Sequence, residues 1–352
     1  MDDLTVLITG IGAPGGKGTL YSLEKNSDRR KIKTVGIDIK DSVVGKYLCD
    51  KFYQVPRPNV YSFIPTLMDI CEKEQVDVIL PQVTAELETL AAHESEFEKK
   101  EIHIAISTEK CIKLANNKYE LMKTSSAIGV PTPSCHLVNN LNQLEKRARR
   151  LGYPEKPVVI KPPISHGMIG FRILDESEDK RKTFFTDKPE GLRIRMEELD
   201  FLGEVFPELV VMEYLPGTEY TVDLLSDKKR TIVVVPRRRD AIRTGITFEG
   251  TVEKDIEIID YSTKLTEGIG LEYAYGLQFK RDEDGIAKIL ECNPRIQGTM
   301  VLSTLAGANI IYGAVKLALG EGSPEYDVKW GTRLLRYWGG VGVLNEKLVD
   351  EV

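Results

Sequence analysis

The string LECNPRIQGT, residues 290–299, sets a carboxylate, an amide and a guanidinium at alternate positions: Glu291, Asn293 and Arg295. Two antiparallel strands meeting at the turn Asp282-Glu283-Asp284-Gly285 would put these three on one face and turn Cys292 away. Carboxylate and amide oxygens are hard ligands suited to magnesium, whose remaining positions go to water and phosphate oxygens. The guanidinium then suits a transferred phosphoryl group. A surface salt bridge between Glu291 and Arg295 is the plain alternative. A second candidate is ITGIGAPGGKGT, residues 8–19. A P-loop reading fails, because Ile11 stands where its first glycine belongs and Gly18 where its hydroxyl belongs. The dinucleotide fingerprint fits as Gly10-Ile11-Gly12-Ala13-Pro14-Gly15, and Asp38 offers an acid for a ribose. Tight strand-to-helix turns favour glycine in any case, so NAD binding and a plain turn both stay open. The third candidate is PRRRDAIRTG, residues 236–245. In an extended strand Arg237 and Arg239 share a face and Arg238 opposes them, so the pair could grip a carboxylate and stabilise an acyl phosphate. A solvated edge of repelling charges is the alternative there. The turn 295–299, with Gly298, could offer amides to the same anion.

These groups need elements to hold them. Strand patterns at 5–9, 34–38, 76–81 and 102–107, with a helix over 86–99, give a βαβ rhythm and predict a mostly parallel sheet. Ligands of such sheets sit at the carboxyl ends of the strands, so Gly12, Gly15, Asp38 and the segment 81–86 with Glu86 would line one crevice. A helix over 117–128 stops at Gly129, and VPTP at 130–133 makes an extended link. Strands 157–163 and 171–174 flank the glycine-bearing turn 164–170, a hairpin with a flexible tip. Residues 175–200 carry both charge signs and read as a solvated segment. Strand-like runs follow at 209–213, 220–225, 231–236, 273–279 and 287–292, then a helical stretch over 300–319.

The 277–299 string resembles the metal-binding end of the ATP-grasp superfamily, in particular carboxylate-amine ligases like the carbamoyl phosphate synthetase large subunit. Other segments match in the family's order. ANNKYELM resembles the segment whose lysine meets the phosphates, which gives Lys118; VVIKPP resembles the strand whose lysine contacts ATP, which gives Lys161. ISHGMIGFRIL is similar to the glycine-rich hairpin that closes on the phosphates, giving Ser165, His166, Gly167 and Gly170. VVMEYLPGTEYTVDLL resembles the adenine hinge and ribose acid, giving Glu213, Tyr214 and Leu215 for the base and Glu219 for the sugar. Gln278 stands where many relatives carry a metal-binding carboxylate, so the metal set becomes Glu291, Asn293 and Gln278, and a second magnesium would bind weakly or differently.

The resemblance implies an α/β chain, α+β in its ATP-grasp part. A Rossmann-like pre-ATP-grasp domain would span 1–112 and a two-lobed ATP-grasp domain 113–325, with a mobile lid lobe at about 133–212 and a tail, 326–352, packed on the ATP-grasp domain. It implies ATP with magnesium, or manganese in its place, as cofactors. The expected partners are a small-molecule carboxylate and an amine, joined through an acyl phosphate with release of ADP and phosphate; a homodimer is expected from the family. Arg295, Lys161 and Arg239 would carry the chemistry. Gly12, Gly15, Glu86, Arg237, Arg239, Arg295 and Gly298 would hold the substrate, the first domain serving it rather than ATP. Two rivals stay open: an enzyme of this fold that stops at an acyl or carbamoyl phosphate, and a non-catalytic nucleotide or NAD sensor.

The bulk properties agree with a soluble enzyme. The 352 residues allow two or three domains, and a net charge of -6 argues against a general nucleic-acid binder. Five cysteines without a C-x-x-C pair suggest neither a zinc site nor a disulfide framework and fit a reducing cytoplasm. The acidic start is unlike a signal peptide and the apolar runs are too short for a bilayer, so no membrane partner is expected.

Overall fold

A computed structural model of the chain describes residues 3–165, 167–177, 191–203, 205–228 and 230–352. The first sheet is built from β1 (Leu4–Ile8), β2 (Ile32–Asp38), β3 (Lys51–Gln54), β4 (Val78–Leu80) and β5 (His103–Ile104). Their order is β3-β2-β1-β4-β5 and every pairing is parallel, the Rossmann-like arrangement. Parallel strands bury both faces, and β1 shows why its run is apolar at every position but Thr5. Leu7 packs with Val35, Phe63, Leu67 and Ile79, while Val6 and Ile8 enter a second core with Leu23, Leu225, Met300 and Val315.

The second sheet contains β6 (Cys135–Val138), β7 (Val158–Lys161), β8 (Arg172–Leu174), β9 (Arg193–Ile194) and β10 (Leu209–Glu213), in the order β6-β10-β7-β8-β9. Alternation divides its core. Val158 and Ile160 pack with Leu144 and Ala148 of the helix Leu141–Arg150, whereas Val159 clusters with Val210, Met212 and Tyr119 on the opposite face. Lys161 follows Val159 onto that opposite face.

The third sheet has β11 (Glu219–Asp227), β12 (Arg230–Arg243), β13 (Ile246–Val252), β14 (Tyr273–Arg281), β15 (Ala287–Asn293) and β16 (Arg333–Leu335), ordered β15-β14-β11-β12-β13-β16. The expected helical stretch over 300–319 is two helices, Val301–Leu305 and Ile310–Ala318. Gly307 at φ 88° ends the first, and the Asn309 side chain caps the second by accepting from the Tyr312 amide. A last hairpin joins β17 (Val341–Leu344) to β18 (Lys347–Glu351).

By compactness the chain divides into two units. One unit comprises Met1–Lys113, Tyr220–Leu277 and Cys292–Val352; the other comprises Leu114–Glu219 and Gln278–Glu291. The reason lies in the core just described, where Val6 and Ile8 need Leu225, Met300 and Val315 to cover them. The tail, expected on the ATP-grasp part, pairs β16 with β13 and also reaches the first domain, where Lys46 binds Asp41 at 2.8 Å and Glu346 at 2.9 Å. Among the described residues no helix is long and apolar enough to cross a membrane.

Candidate active site

The second unit, Leu114–Glu219 with Gln278–Glu291, gathers two lysines around one acid. Lys118 opens the helix Lys118–Ala127, whose N-cap Asn117 accepts from the amides of Tyr119 and Glu120. Its backbone amide donates to Pro163 O at 2.8 Å, which fixes the helix start against the end of β7. The residue is 5% exposed, and its Nζ donates to Ser165 O at 2.9 Å and Ser165 Oγ at 3.1 Å. Lys161 closes β7 opposite Val210 and is also buried, with Nζ donating to Leu290 O at 3.3 Å. Burial pushes the Lys161 ammonium down to about 8, against the pull of the Glu291 carboxylate and with the help of the Lys118 charge. Lys118 is lowered for the same reason and is likewise supported by Glu291. Lys118, Lys161, Ser165 and Glu291, drawn from segments far apart in sequence, thus converge.

The turn between β7 and β8 takes positive φ at Gly167 (60°), Met168 (63°) and Gly170 (75°). A Cβ at Gly170 would stand 2.6 Å from Pro162 Cγ, so glycine is required there on two counts. His166 lies outside the described residues. At the hinge, the Glu213 carboxylate is held by Lys288 at 2.9 Å and 3.1 Å and by the Ser134 amide at 3.0 Å. The Glu213 side chain is thus engaged within the protein, and Tyr214 and Leu215 follow it at the end of β10. The Tyr214 ring has Lys280 Nζ 5.4 Å and the Arg193 guanidinium 5.8 Å from its centre. Glu219 begins β11, and its charge reaches Lys161.

On β15 the face that carries Ala287 and Ile289 continues as Glu291 and Asn293, and Cys292 is buried on the other side. Gln278 lies on the neighbouring strand β14. Among the described residues no three His, Cys, Asp or Glu side chains form a group able to hold a metal ion. The Glu291 carboxylate and the Gln278 amide oxygen, both of the second unit, are hard donors of the kind magnesium takes alongside phosphates and water.

In the first unit the glycine loop meets protein atoms. The Gly12 amide donates to Asp38 Oδ2 at 3.0 Å, and a Cβ on Gly12 would stand 2.5 Å from Val43 Cγ1. A Cβ on Gly10 would stand 2.4 Å from Val83 Cγ2, and one on Gly15 2.8 Å from Gly298 Cα. In this structure the fingerprint glycines thus lie against Val43, Val83 and Gly298, and Asp38 accepts from the loop itself.

Gly15 and Gly298 therefore touch, beside the turn that carries Arg295. Arg295 Nε donates to Thr84 Oγ1 at 2.9 Å and Nη1 to Ile296 O at 2.9 Å. Glu86 is 3% exposed and accepts from the Val83 amide at 3.1 Å and from Thr9 Oγ1. Burial pushes its carboxyl up to about 7, and the Arg295 charge opposes that rise. The expected arginine pair does not face a ligand. Arg237 is fully buried and forms a two-point pair with Asp223, Nε to Oδ2 and Nη2 to Oδ1 both at 2.7 Å, while Ser303 donates to the same carboxylate at 2.6 Å. The side of the strand that carries Arg237 is core. Arg239 braces the β12–β13 turn, donating to Thr247 Oγ1 at 2.9 Å and Gly245 O at 2.6 Å. Arg336, which follows β16, is the residue that sequence reading missed. It donates to Gly298 O at 2.6 Å and to Pro14 O at 3.4 Å, and both burial and the Arg237 charge lower its pKa. No local pattern in RLLRYWGG could have revealed it, because only the pairing of β16 with β13 brings it to the turn.

Residues 205–336 match the family model described as "ATP-grasp in the biosynthetic pathway with Ter operon", and residues 6–105 match "PylC-like, N-terminal domain". The carbamoyl phosphate synthase large chain of Clostridium perfringens is 23% identical over 305 residues, covering 83% of this chain. The chain spans 26% of that relative's length. The formate-dependent phosphoribosylglycinamide formyltransferase of a Sulfurovum species is 22% identical over 311 residues, covering 86% of this chain and 73% of the relative. The structure of N5-carboxyaminoimidazole ribonucleotide synthetase in complex with ADP shares the fold with a TM-score of 0.68 at 16% identity, over 93% of this chain and 80% of that one. The resemblance expected of the chain is met by these matches: residues 205–336 carry an ATP-grasp family model, residues 6–105 a PylC-like N-terminal one, and the fold is shared with the solved synthetase.

Proposed function

We propose that the protein is an ATP-dependent carboxylate-amine ligase. The observation that carries this reading is the meeting of Lys118, Lys161 and Glu291 with Ser165 of the glycine-rich turn. Two buried ammonium groups stand beside the Glu291 carboxylate, with Glu219 a weaker influence on Lys161, and such a pair is suited to the charge of a triphosphate. Phosphoryl transfer asks the protein for position and positive charge more than for covalent chemistry. Lys118 and Lys161 hold the β- and γ-phosphates, the main chain at Glu213 to Leu215 meets the base, and Glu219 the ribose. Glu291, Asn293 and Gln278 would hold magnesium, which supplies charge neutralisation on the phosphates when bound.

In this reading Arg295 and Arg336, at the turn beside Gly15, hold the acceptor's carboxylate. One carboxylate oxygen attacks the γ-phosphorus and the bond to the β-phosphate oxygen breaks, releasing ADP. The amine then attacks the acyl carbon, phosphate leaves with the former carboxylate oxygen, and the amine loses a proton. No nucleophilic side chain is needed, since the acyl phosphate is itself the electrophile. The relatives' names, a carbamoyl phosphate synthase and a ribonucleotide synthetase solved with ADP, are consistent with ATP-driven activation. The test is product analysis with MgATP over a panel of carboxylates, each with and without pooled amino acids and ammonia. The expected result is ADP and phosphate release that needs an acid and an amine together. Release of AMP and pyrophosphate overturns the ligase reading, and phosphate release with an acid but no amine moves it to an enzyme that stops at the acyl phosphate.

A further inference from the structure

The buried carboxylate of Glu86 has no direct task in the proposed reaction, since it is 3% exposed and engaged by the Val83 amide and Thr9 Oγ1. It closes the short 3-10 turn Thr84–Glu86 at the carboxyl end of β4. Within that turn Thr84 presents its hydroxyl to Arg295 Nε at 2.9 Å, across 211 positions of sequence. Thr9 in turn accepts from the Gln82 amide at 2.9 Å, and Gln82 Oε1 accepts from Thr19 Oγ1 at 2.9 Å. The chain of contacts runs from the end of β1 through the turn to the guanidinium. A free arginine side chain has many rotamers; Nε held by Thr84 and Nη1 held by Ile296 O fix this one. Nη2 adds a longer contact to Asn293 Oδ1 at 3.4 Å.

We propose that Glu86 and Thr84 are positioning residues for Arg295: Glu86 locks the turn, and Thr84 orients the guanidinium that takes the acceptor's carboxylate. The inference rests on the ligase reading for what Arg295 does, but not for how Arg295 is held. Two readouts separate them. The first needs no substrate: solvent exchange of the Arg295 Nε–H, followed by nitrogen-15 NMR and assigned by its loss in Arg295→Lys. Thr84→Val removes the acceptor at nearly constant volume and is expected to speed exchange by about tenfold or more, with Thr84→Ser restoring the slow rate. Glu86→Gln, which still accepts from the Val83 amide and so keeps the turn folded, is expected to speed exchange less.

The second readout is ADP release from MgATP with the pooled carboxylates and amines of the ligase assay. Thr84→Val is expected to lower kcat by about tenfold or more, and Glu86→Gln by less, while KM for ATP stays within about twofold for both. In an Arg295→Ala background Thr84→Val is expected to add nothing further, the non-additivity of residues that act through one group. Unchanged exchange in Thr84→Val, or losses that add fully to Arg295→Ala, overturns the proposal. Fast exchange in the variants with no turnover in any protein leaves the positioning intact and counts against the ligase reading alone.

Discussion

At the scale of single residues, the account depends on buried charge. Lys161 carries an ammonium that burial has pushed down to about 8, below the ordinary lysine value. The protonated form binds phosphate; it is nearly fully present below about pH 7, about half present near pH 8 and lost above that. ATP affinity is therefore expected to fall as pH rises from about 8 towards about 10. An arginine stays charged throughout that range, so Lys161→Arg should flatten the profile. Calorimetric titration of MgATP across the range checks this, and parallel profiles for the two proteins would contradict it. Glu291→Ala is expected to lower ATP turnover by about a hundredfold or more with the thermal midpoint nearly unchanged, read by ADP release and melting together. These residues were legible because each sits in a short string of its own. Arg336 and the buried state of Arg237 were not, since one depends on strand pairing and the other on which side of β12 is core.

At the scale of elements, alternation and turn chemistry were readable where the pattern is local. Strand β10 falls on the expected 209–213, and the 157–174 hairpin forms across its glycine turn. The helix Phe63–Glu74 escaped notice even though Phe63, Leu67, Ile70 and Cys71 repeat at helical spacing. The strand β3, partly exposed and only Lys51–Gln54, has no strong apolar signal to find. Asp223 and Arg237 tie β11 to β12 inside the core, and Ser303 joins them from the helix Val301–Leu305. Asp223→Ala leaves a buried guanidinium without its counter-charge and is expected to cost about 3–5 kcal/mol in denaturant unfolding. A loss below about 1 kcal/mol would show that the pair is not buried in solution. The loop-to-turn contact makes a paired prediction. Gly15→Ala pushes a methyl to within 2.8 Å of Gly298 Cα and should destabilise by about 1–3 kcal/mol. Gly298→Ala, whose Cβ would lie 3.7 Å from the Gly15 amide, should stay within about 0.5 kcal/mol in the same unfolding experiment.

At the scale of the whole molecule, the sequence speaks more directly of candidate chemistry than of how distant segments share a core. Motifs report on the ligand they face, whereas a core assembled from Ile8, Leu225 and Val315 leaves no trace at any one of those positions. The same gap explains the glycine loop. Its spacing fits a dinucleotide fingerprint, and only the neighbours Val43, Val83 and Gly298 show what it packs against. The claim on which everything else rests is that an acid is activated by the γ-phosphate and captured by an amine. The direct measurement is transfer of oxygen-18 from a carboxyl-labelled acid, taken from the panel that supports ADP release, into the phosphate formed. The account predicts one labelled oxygen in each phosphate released, with an amide as the other product. Unlabelled phosphate, or label recovered in AMP, would contradict it.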